Sequence, residues 1–211
     1  MGEKQEGSIS QLNQSLGNID IYLLDQILKG RFDASMKLLD AGCGEGRNLI
    51  WFIQQGYEIH AIDQNESALQ MLKYQMRSLN RDDLLENVYK MDLAEMLFPD
   101  KAFKIVICSA VLHFANNEQH FDAMLSELTR VTAGGGYLFI RATTSRGLSP
   151  DSYQSIDEGR FHLADGSERF LMTDSHISRL LAMGWEVVEP IKTVLVEDYR
   201  SMLVAVLRRK E

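Results

Sequence analysis

The stretch from Met36 to Asn48 constrains this chain more than any other. It reads Met36-Lys37-Leu38-Leu39-Asp40-Ala41-Gly42-Cys43-Gly44-Glu45-Gly46-Arg47-Asn48. A short apolar run ends in an aspartate and turns through three alternating glycines. Asn48-Leu49-Ile50-Trp51-Phe52-Ile53 then reads as a helix, starting at about Gly46 and ending near Gln54. Glycine takes positive φ and puts no Cβ in the way of a ligand. A helix after such a turn aims its free N–H groups and the positive end of its dipole back into the turn. Strand, glycine turn and helix in that order form a corner suited to a nucleotide.

The glycine spacing narrows the choice. The dinucleotide pattern G-x-G-x-x-G uses its third glycine to pack helix on strand, and Arg47 stands where that glycine belongs. A P-loop ends in Gly-Lys-Ser/Thr, which Gly46-Arg47-Asn48 does not match. Asp40 completes D-x-G-x-G-x-G. In these residues the chain resembles the class I S-adenosylmethionine (SAM)-dependent methyltransferases, whose first motif Asp40 to Gly46 looks like.

Size and charge are compatible with that resemblance. The 211 residues fit a single domain, and 45% hydrophobic content suits a globular core. A net charge of −8 disfavours nonspecific nucleic-acid binding, which needs cations to neutralise phosphates. Arg208-Arg209-Lys210 reads as a solvated end. Cys43 lies in the glycine turn and Cys108 in an apolar run, so reduced thiols and a cytoplasmic setting are expected. Met1 to Gln11 has no apolar signal region, Glu6 spoils a myristoylation pattern at Gly2, and no run reaches membrane-spanning length. No His/Cys cluster has metal spacing.

Ser8 to Lys29 has helical periodicity, with a break at Gly17-Asn18 and Gly30 just past its end. It is expected to cover the fold as an N-terminal helix within residues 1–30, and the resemblance adds a lid role with Tyr22 near the substrate. Strand 1 (Lys37 to Ala41) is followed by strand 2 (Glu58 to Ile62), which ends at Asp63. An acid about 20 residues past a glycine turn can accept both ribose hydroxyls. Helix Glu66 to Leu79 is capped by Asn65 and leads to strand 3, Val88 to Met91, with Asp92-Leu93 after it. The resemblance implies that Asp92 accepts from the adenine amino group and that the Leu93 N–H meets a ring nitrogen. Strand 4, Phe103 to Cys108, runs into Ser109-Ala110-Val111-Leu112-His113-Phe114, which corresponds to the family's fourth motif. It lacks the Asp/Asn-Pro-Pro-Tyr/Phe of base and amide methylators and resembles the small-molecule branch.

Helix Asn117 to Val131 precedes Gly134-Gly135-Gly136, read as a turn because a strand, Tyr137 to Arg141, follows it. Residues of about 143–172 break the pattern and are expected to be a substrate-side insertion, with a hairpin at Asp165-Gly166. A helix capped by Thr173 ends at Gly184. Strands Glu186 to Leu195 and Arg200 to Leu207 then close the chain as an antiparallel pair, with Pro190 bending the first. The expected fold is α/β: a doubly wound, mostly parallel seven-stranded sheet of order 3-2-1-4-5-7-6, strand 7 antiparallel, with helices on both faces.

The resemblance implies SAM as cofactor, S-adenosylhomocysteine as product and a small-molecule methyl acceptor. Asp40, Gly42, Cys43, Gly44, Gly46, Asp63, Gln64, Asp92, Leu93 and Ser109 are the candidate cofactor contacts. His113 is the candidate general base for an amine or hydroxyl acceptor, because imidazole titrates near neutrality, although a packed wall histidine explains it as well. His162 is a weaker candidate and His60 a structural one. Two alternatives remain: a noncatalytic SAM-binding module, and an NAD-dependent oxidoreductase, which Arg47 disfavours.

Overall fold

The computed structural model describes residues 3–211, with side chains described from Ile9 onward. Met1 and Gly2, and the reading of the extreme N-terminus, lie outside the described residues. The chain divides into two compact units, Met1–Lys90 and Met91–Glu211.

The first unit runs α1 (Glu3–Leu16), α2 (Ile21–Leu28), β1 (Leu38–Ala41), α3 (Ile50–Gln54), β2 (Ile59–Asp63), α4 (Glu66–Ser78) and β3 (Val88–Lys90). Its strands are parallel in the order β3-β2-β1, with Leu38 opposite Ile59 and Ala61 opposite Val88. β1 is buried at every position, as expected of a parallel strand covered on both faces. α4 buries Ala68, Leu69, Leu72 and Met76, and Asn65 caps it by accepting from the Ser67 and Ala68 N–H groups.

The expected break at Gly17-Asn18 divides the N-terminal helical stretch into two helices, because Gly17 turns at φ +59° and Asp20 starts a new cap by accepting from the Tyr22 N–H. The break changes which positions are covered: Leu23 is buried while Ile9 and Leu12 are exposed. α1 leans on α3, with Gln54 Nε2 donating to the Gln14 carbonyl. The helix after the glycine turn starts at Ile50 rather than near Gly46 and has five residues. Residues between Gly46 and Leu49 form tight turns instead, closed by Gly46 N–H to Cys43 O and Leu49 N–H to Gly46 O, each 2.9 Å. The expected helix dipole aimed into the turn is therefore not the device used here.

The second unit runs β4 (Phe103–Ser109), α5 (Glu118–Val131), β5 (Thr132–Thr143), β6 (Tyr153–Asp157), β7 (Arg160–Leu163), β8 (Glu168–Phe170), α6 (Asp174–Ala182), β9 (Trp185–Val187), β10 (Lys192–Val196) and β11 (Arg200–Arg209). β4 and β5 are parallel; β11 is antiparallel to β5 and carries β9 and β10 on its other edge. The expected sixth strand is thus in two pieces interrupted around Pro190, which has no N–H for a ladder. The two units hold the runs 3-2-1 and 4-5-7-6 of the expected order. The class is the expected α/β fold with a mostly parallel sheet.

The triple glycine is not a separate turn before a strand. It sits inside β5 as a bulge, since Thr132 faces Phe103 and Tyr137 faces Ile105. Gly135 takes φ +69°, and an added Cβ on Gly136 would press on the Ala133 and Lys104 carbonyls. The insertion forms its own antiparallel sheet, β6-β7-β8. The expected hairpin at Asp165-Gly166 joins β7 to β8, with Gly166 at φ +79° and Asp165 Oδ1 accepting from Ser167. A second hairpin, at Glu158-Gly159, was not expected. Phe170 anchors the insertion by stacking on Phe121 of α5, with centroids 4.5 Å apart.

Candidate functional site

In the first unit the glycine turn is tied down by the end of β2. The Gly42 and Cys43 N–H groups both donate to the Ile62 carbonyl, at 2.8 and 2.9 Å. Asp63, half-buried, accepts from the Gly44 N–H at 2.8 Å through one oxygen and from the Asn65 N–H at 2.8 Å through the other. Each oxygen keeps a second lone pair for a ligand hydroxyl. The three glycines have different duties. Gly42, Gly44 and Gly46 all have positive φ, at +86°, +52° and +85°. A Cβ on Gly46 would overlap Leu72 Cδ1, so this glycine packs the turn against α4. A Cβ on Gly44 would meet nothing within 4 Å, so this glycine faces open space. The close-packing duty that dinucleotide folds give to a later glycine is therefore met at Gly46, and Arg47 is free to reach Asp20 at 3.4 Å.

Asp40 lies beneath this turn, 1% exposed, and neither carboxylate oxygen has a hydrogen-bond partner. Burial first, then the Asp63 charge, push its pKa up to about 7, against a smaller pull from Arg47. A buried carboxylate without donors is costly. Cys43 is buried with Sγ 3.4 Å from the Gly44 carbonyl, and burial with Asp40 and Asp63 nearby pushes its thiol far up, which disfavours the thiolate. Gln64 is exposed.

In the second unit Asp92 is exposed and Leu93 buried. Asp92 Oδ1 accepts from the Ala94 N–H at 2.7 Å, which caps the turn that follows. Ser109 ends β4 opposite Arg141, and its Oγ is buried without a partner. Ala110 holds φ +64°, unusual for a residue with a Cβ, and donates its N–H to the Arg141 carbonyl at 2.7 Å. His113 is buried, its Nδ1 has no partner, and its ring meets Phe114 edge-on at 4.5 Å. Burial first, then Arg169 and Arg200, push its pKa down to about 4. At neutral pH it is an uncharged imidazole and a weak base. His162 is exposed on β7, and His60 lies buried in β2 beside Tyr89.

Arg169 and Arg200 were not candidates. Alternation along β8, with Phe170 facing the core, was the sequence signal that could have pointed Arg169 outward; nothing local pointed to Arg200. Among the described residues no three His, Cys, Asp or Glu gather as a metal site, and no helix is long and apolar enough to cross a membrane.

The fit to SAM rests on the partnerless Asp40 carboxylate, the open face of Gly44 and the spare lone pairs of Asp63. These suit a ligand that brings an amino group and hydroxyl donors. Similarity to known proteins agrees. Residues 39–140 match the model of the methyltransferase domain family. The probable SAM-dependent methyltransferase TehB of Haemophilus influenzae is 27% identical over 111 residues, covering 52% of this chain and 36% of that protein. The chain thus spans about a third of that relative's length. A SAM-dependent methyltransferase from Methanosarcina mazei superimposes with a TM-score of 0.71 at 18% identity, over 87% of this chain and 97% of that one. The 1,6-didemethyltoxoflavin-N1-methyltransferase of Burkholderia thailandensis, solved with its substrate and S-adenosylhomocysteine, gives 0.67 at 17% identity, over 98% and 83%. Residues 39–140 are thus similar to the methyltransferase domain family, and the fold is that of solved SAM-dependent methyltransferases.

Proposed function

We propose that this protein is a SAM-dependent methyltransferase acting on a small molecule. The observation that carries the reading is the buried Asp40 carboxylate, which lacks donors and sits under a glycine turn whose Gly44 face is open. Asp40 with Gly42, Cys43, Gly44 and Gly46 holds the amino-acid end of the cofactor. Asp63, with Gln64 beside it, takes the ribose hydroxyls. Asp92 and the Leu93 N–H take the adenine, and Ser109 completes the contacts.

The cofactor supplies a methyl group on a sulfonium that is already a good leaving group. The chain's own work is orientation and exclusion of water, an effect of several kcal/mol and up to about ten. Asp63 orients by fixing the Gly44 N–H and the end of β2 in one arrangement. The Ser109-to-Phe114 segment, strained at Ala110, forms the wall on the acceptor side. His113 presents a neutral imidazole there. It takes a proton only from an acceptor that loses one readily, so its main role is as wall.

The test is direct binding. Folded protein titrated calorimetrically with SAM and with S-adenosylhomocysteine is expected to bind both, and NAD at least tenfold more weakly. Asp63→Ala is expected to lose about tenfold or more in S-adenosylhomocysteine affinity, since it removes a charge-assisted acceptor. Folded wild-type protein that ignores both SAM and its demethylated product at millimolar concentration overturns the proposal.

A further inference from the structure

The chain is acidic, with 30 Asp and Glu against 22 Lys and Arg. Four arginines of the second unit have found carboxylates. Arg130 pairs with Glu127 and Asp100, Arg146 with Asp174, Arg160 with Glu168, and Arg179 with Glu118 and Asp122. Arg169 and Arg200 have no carboxylate within ion-pair distance among the described residues, and both act on the same histidine, His113.

Their placement follows from the fold. On β8 the side chains alternate, so Phe170 faces the core against Phe121 and Arg169 faces the other way. The Arg169 guanidinium carbon stands 5.1 Å from the Phe114 ring centre, and Phe114 is 59% exposed. Arg169 donates once, to the Glu168 carbonyl, which leaves most of its five N–H donors unused. Arg200 opens β11, next to Ser201, whose carbonyl accepts the Thr144 N–H just past the end of β5. Ser109 pairs with Arg141 near that same end of β5. Asp165 senses both guanidiniums, and its Oδ1 is already engaged by the Ser167 N–H and hydroxyl. Two cations thus lie near a neutral imidazole at the wall assigned to the acceptor.

We propose that Arg169 and Arg200 form an anion-holding pair beside His113, and that the methyl acceptor is a small molecule carrying a carboxylate or another oxyanion. The proposal rests on the methyltransferase reading and deepens it. A guanidinium fork matches a carboxylate with two parallel N–H bonds. The Phe114 ring under Arg169 shields one side of that fork. A neutral His113 adds no charge of its own and leaves the anion to the arginines.

The test uses matched probes on the whole chain: benzoate against benzamide, and inorganic phosphate, each followed by ligand-observed NMR, with S-adenosylhomocysteine binding measured on the same samples. Benzoate is expected to bind at least tenfold more tightly than benzamide. Arg169→Gln with Arg200→Gln is expected to abolish that preference while S-adenosylhomocysteine affinity stays within about twofold, and Arg169→Lys is expected to retain part of it. Phosphate competing as well as benzoate identifies an inorganic or phosphorylated oxyanion rather than a carboxylate. Arg200 is exposed and Arg169 half-buried, and Arg160→Gln on the neighbouring strand controls for loss of charge. Equal binding of benzoate and benzamide, or a preference that survives the double variant, overturns the anion pair while leaving a cofactor-binding result intact. Failure of S-adenosylhomocysteine binding instead overturns the methyltransferase reading.

Discussion

Asp40 in the first unit and His113 in the second are both buried titratable groups beside the carboxyl ends of strands, and they lean in opposite directions. Burial pushes Asp40 up to about 7 and His113 down to about 4. Each also has its own sign of charge nearby: Asp40 has Asp63, partly offset by Arg47, and His113 has Arg169 and Arg200. The difference teaches what each region lacks. The glycine turn has acid and hydrogen-bond acceptors in excess, and calls for a ligand with an amino group and hydroxyls. The region beyond β4 has cation in excess and calls for an anion.

The largest expected effect separates the two groups by pH. Between about 3.8 and 7 folded Asp40 holds a proton that the unfolded chain has lost, so its contribution to stability falls as pH rises through that window. Between about 6.5 and 4 folded His113 lacks a proton that the unfolded chain holds, so its contribution falls as pH drops. At about 1.4 kcal/mol per pH unit the two come to about 4 and about 3 kcal/mol, with opposite signs over most of the same range. Wild-type stability from these two groups should therefore be nearly flat between pH 4 and 6.5. Denaturant unfolding of Asp40→Asn is expected to reveal acid sensitivity, and of His113→Gln the reverse. An Asp40→Asn curve parallel to wild type would remove Asp40 from this balance.

A smaller effect tests the division of duties within the glycine turn. Gly46→Ala forces a Cβ onto Leu72 at φ +85° and is expected to cost about 2–4 kcal/mol, read as a fall in Tm. Gly44→Ala meets no neighbour and should cost about 1 kcal/mol, yet weaken S-adenosylhomocysteine binding by about tenfold, because its Cβ enters the open face. Equal losses of stability from both would erase the distinction. The smallest effect belongs to the second unit. Ala110→Gly relieves a left-handed alanine at φ +64° and is expected to change stability by less than about 1 kcal/mol, towards a higher Tm.

Much of the fold was legible because parallel strands buried on both faces read as apolar runs, and because Asn65, Asn117 and Thr173 stand at the starts of α4, α5 and α6. The errors fall where local pattern and tertiary contact disagree. Helical residues after Gly46 were expected from periodicity, but the turn needs those residues to close on Cys43 and Gly46 carbonyls before a helix can start. Gly134 to Gly136 suggested a turn, but β5 absorbs them as a bulge. The turn at Gly159 was hidden because Glu158-Gly159 has no apolar flank comparable to the Phe161 run.

The sequence by itself determined the corner at Asp40 to Gly46, the acid at the end of β2 and the α/β class, since each depends on residues adjacent in the chain and on backbone angles that glycine alone takes cheaply. Only the tertiary structure decided that Gly46 packs while Gly44 stays open, that Asp40 is buried without donors, and that Arg169 and Arg200 act on one histidine. The physical reason is range: conformational preference acts over a few residues, whereas burial and charge act through space between segments far apart in the chain.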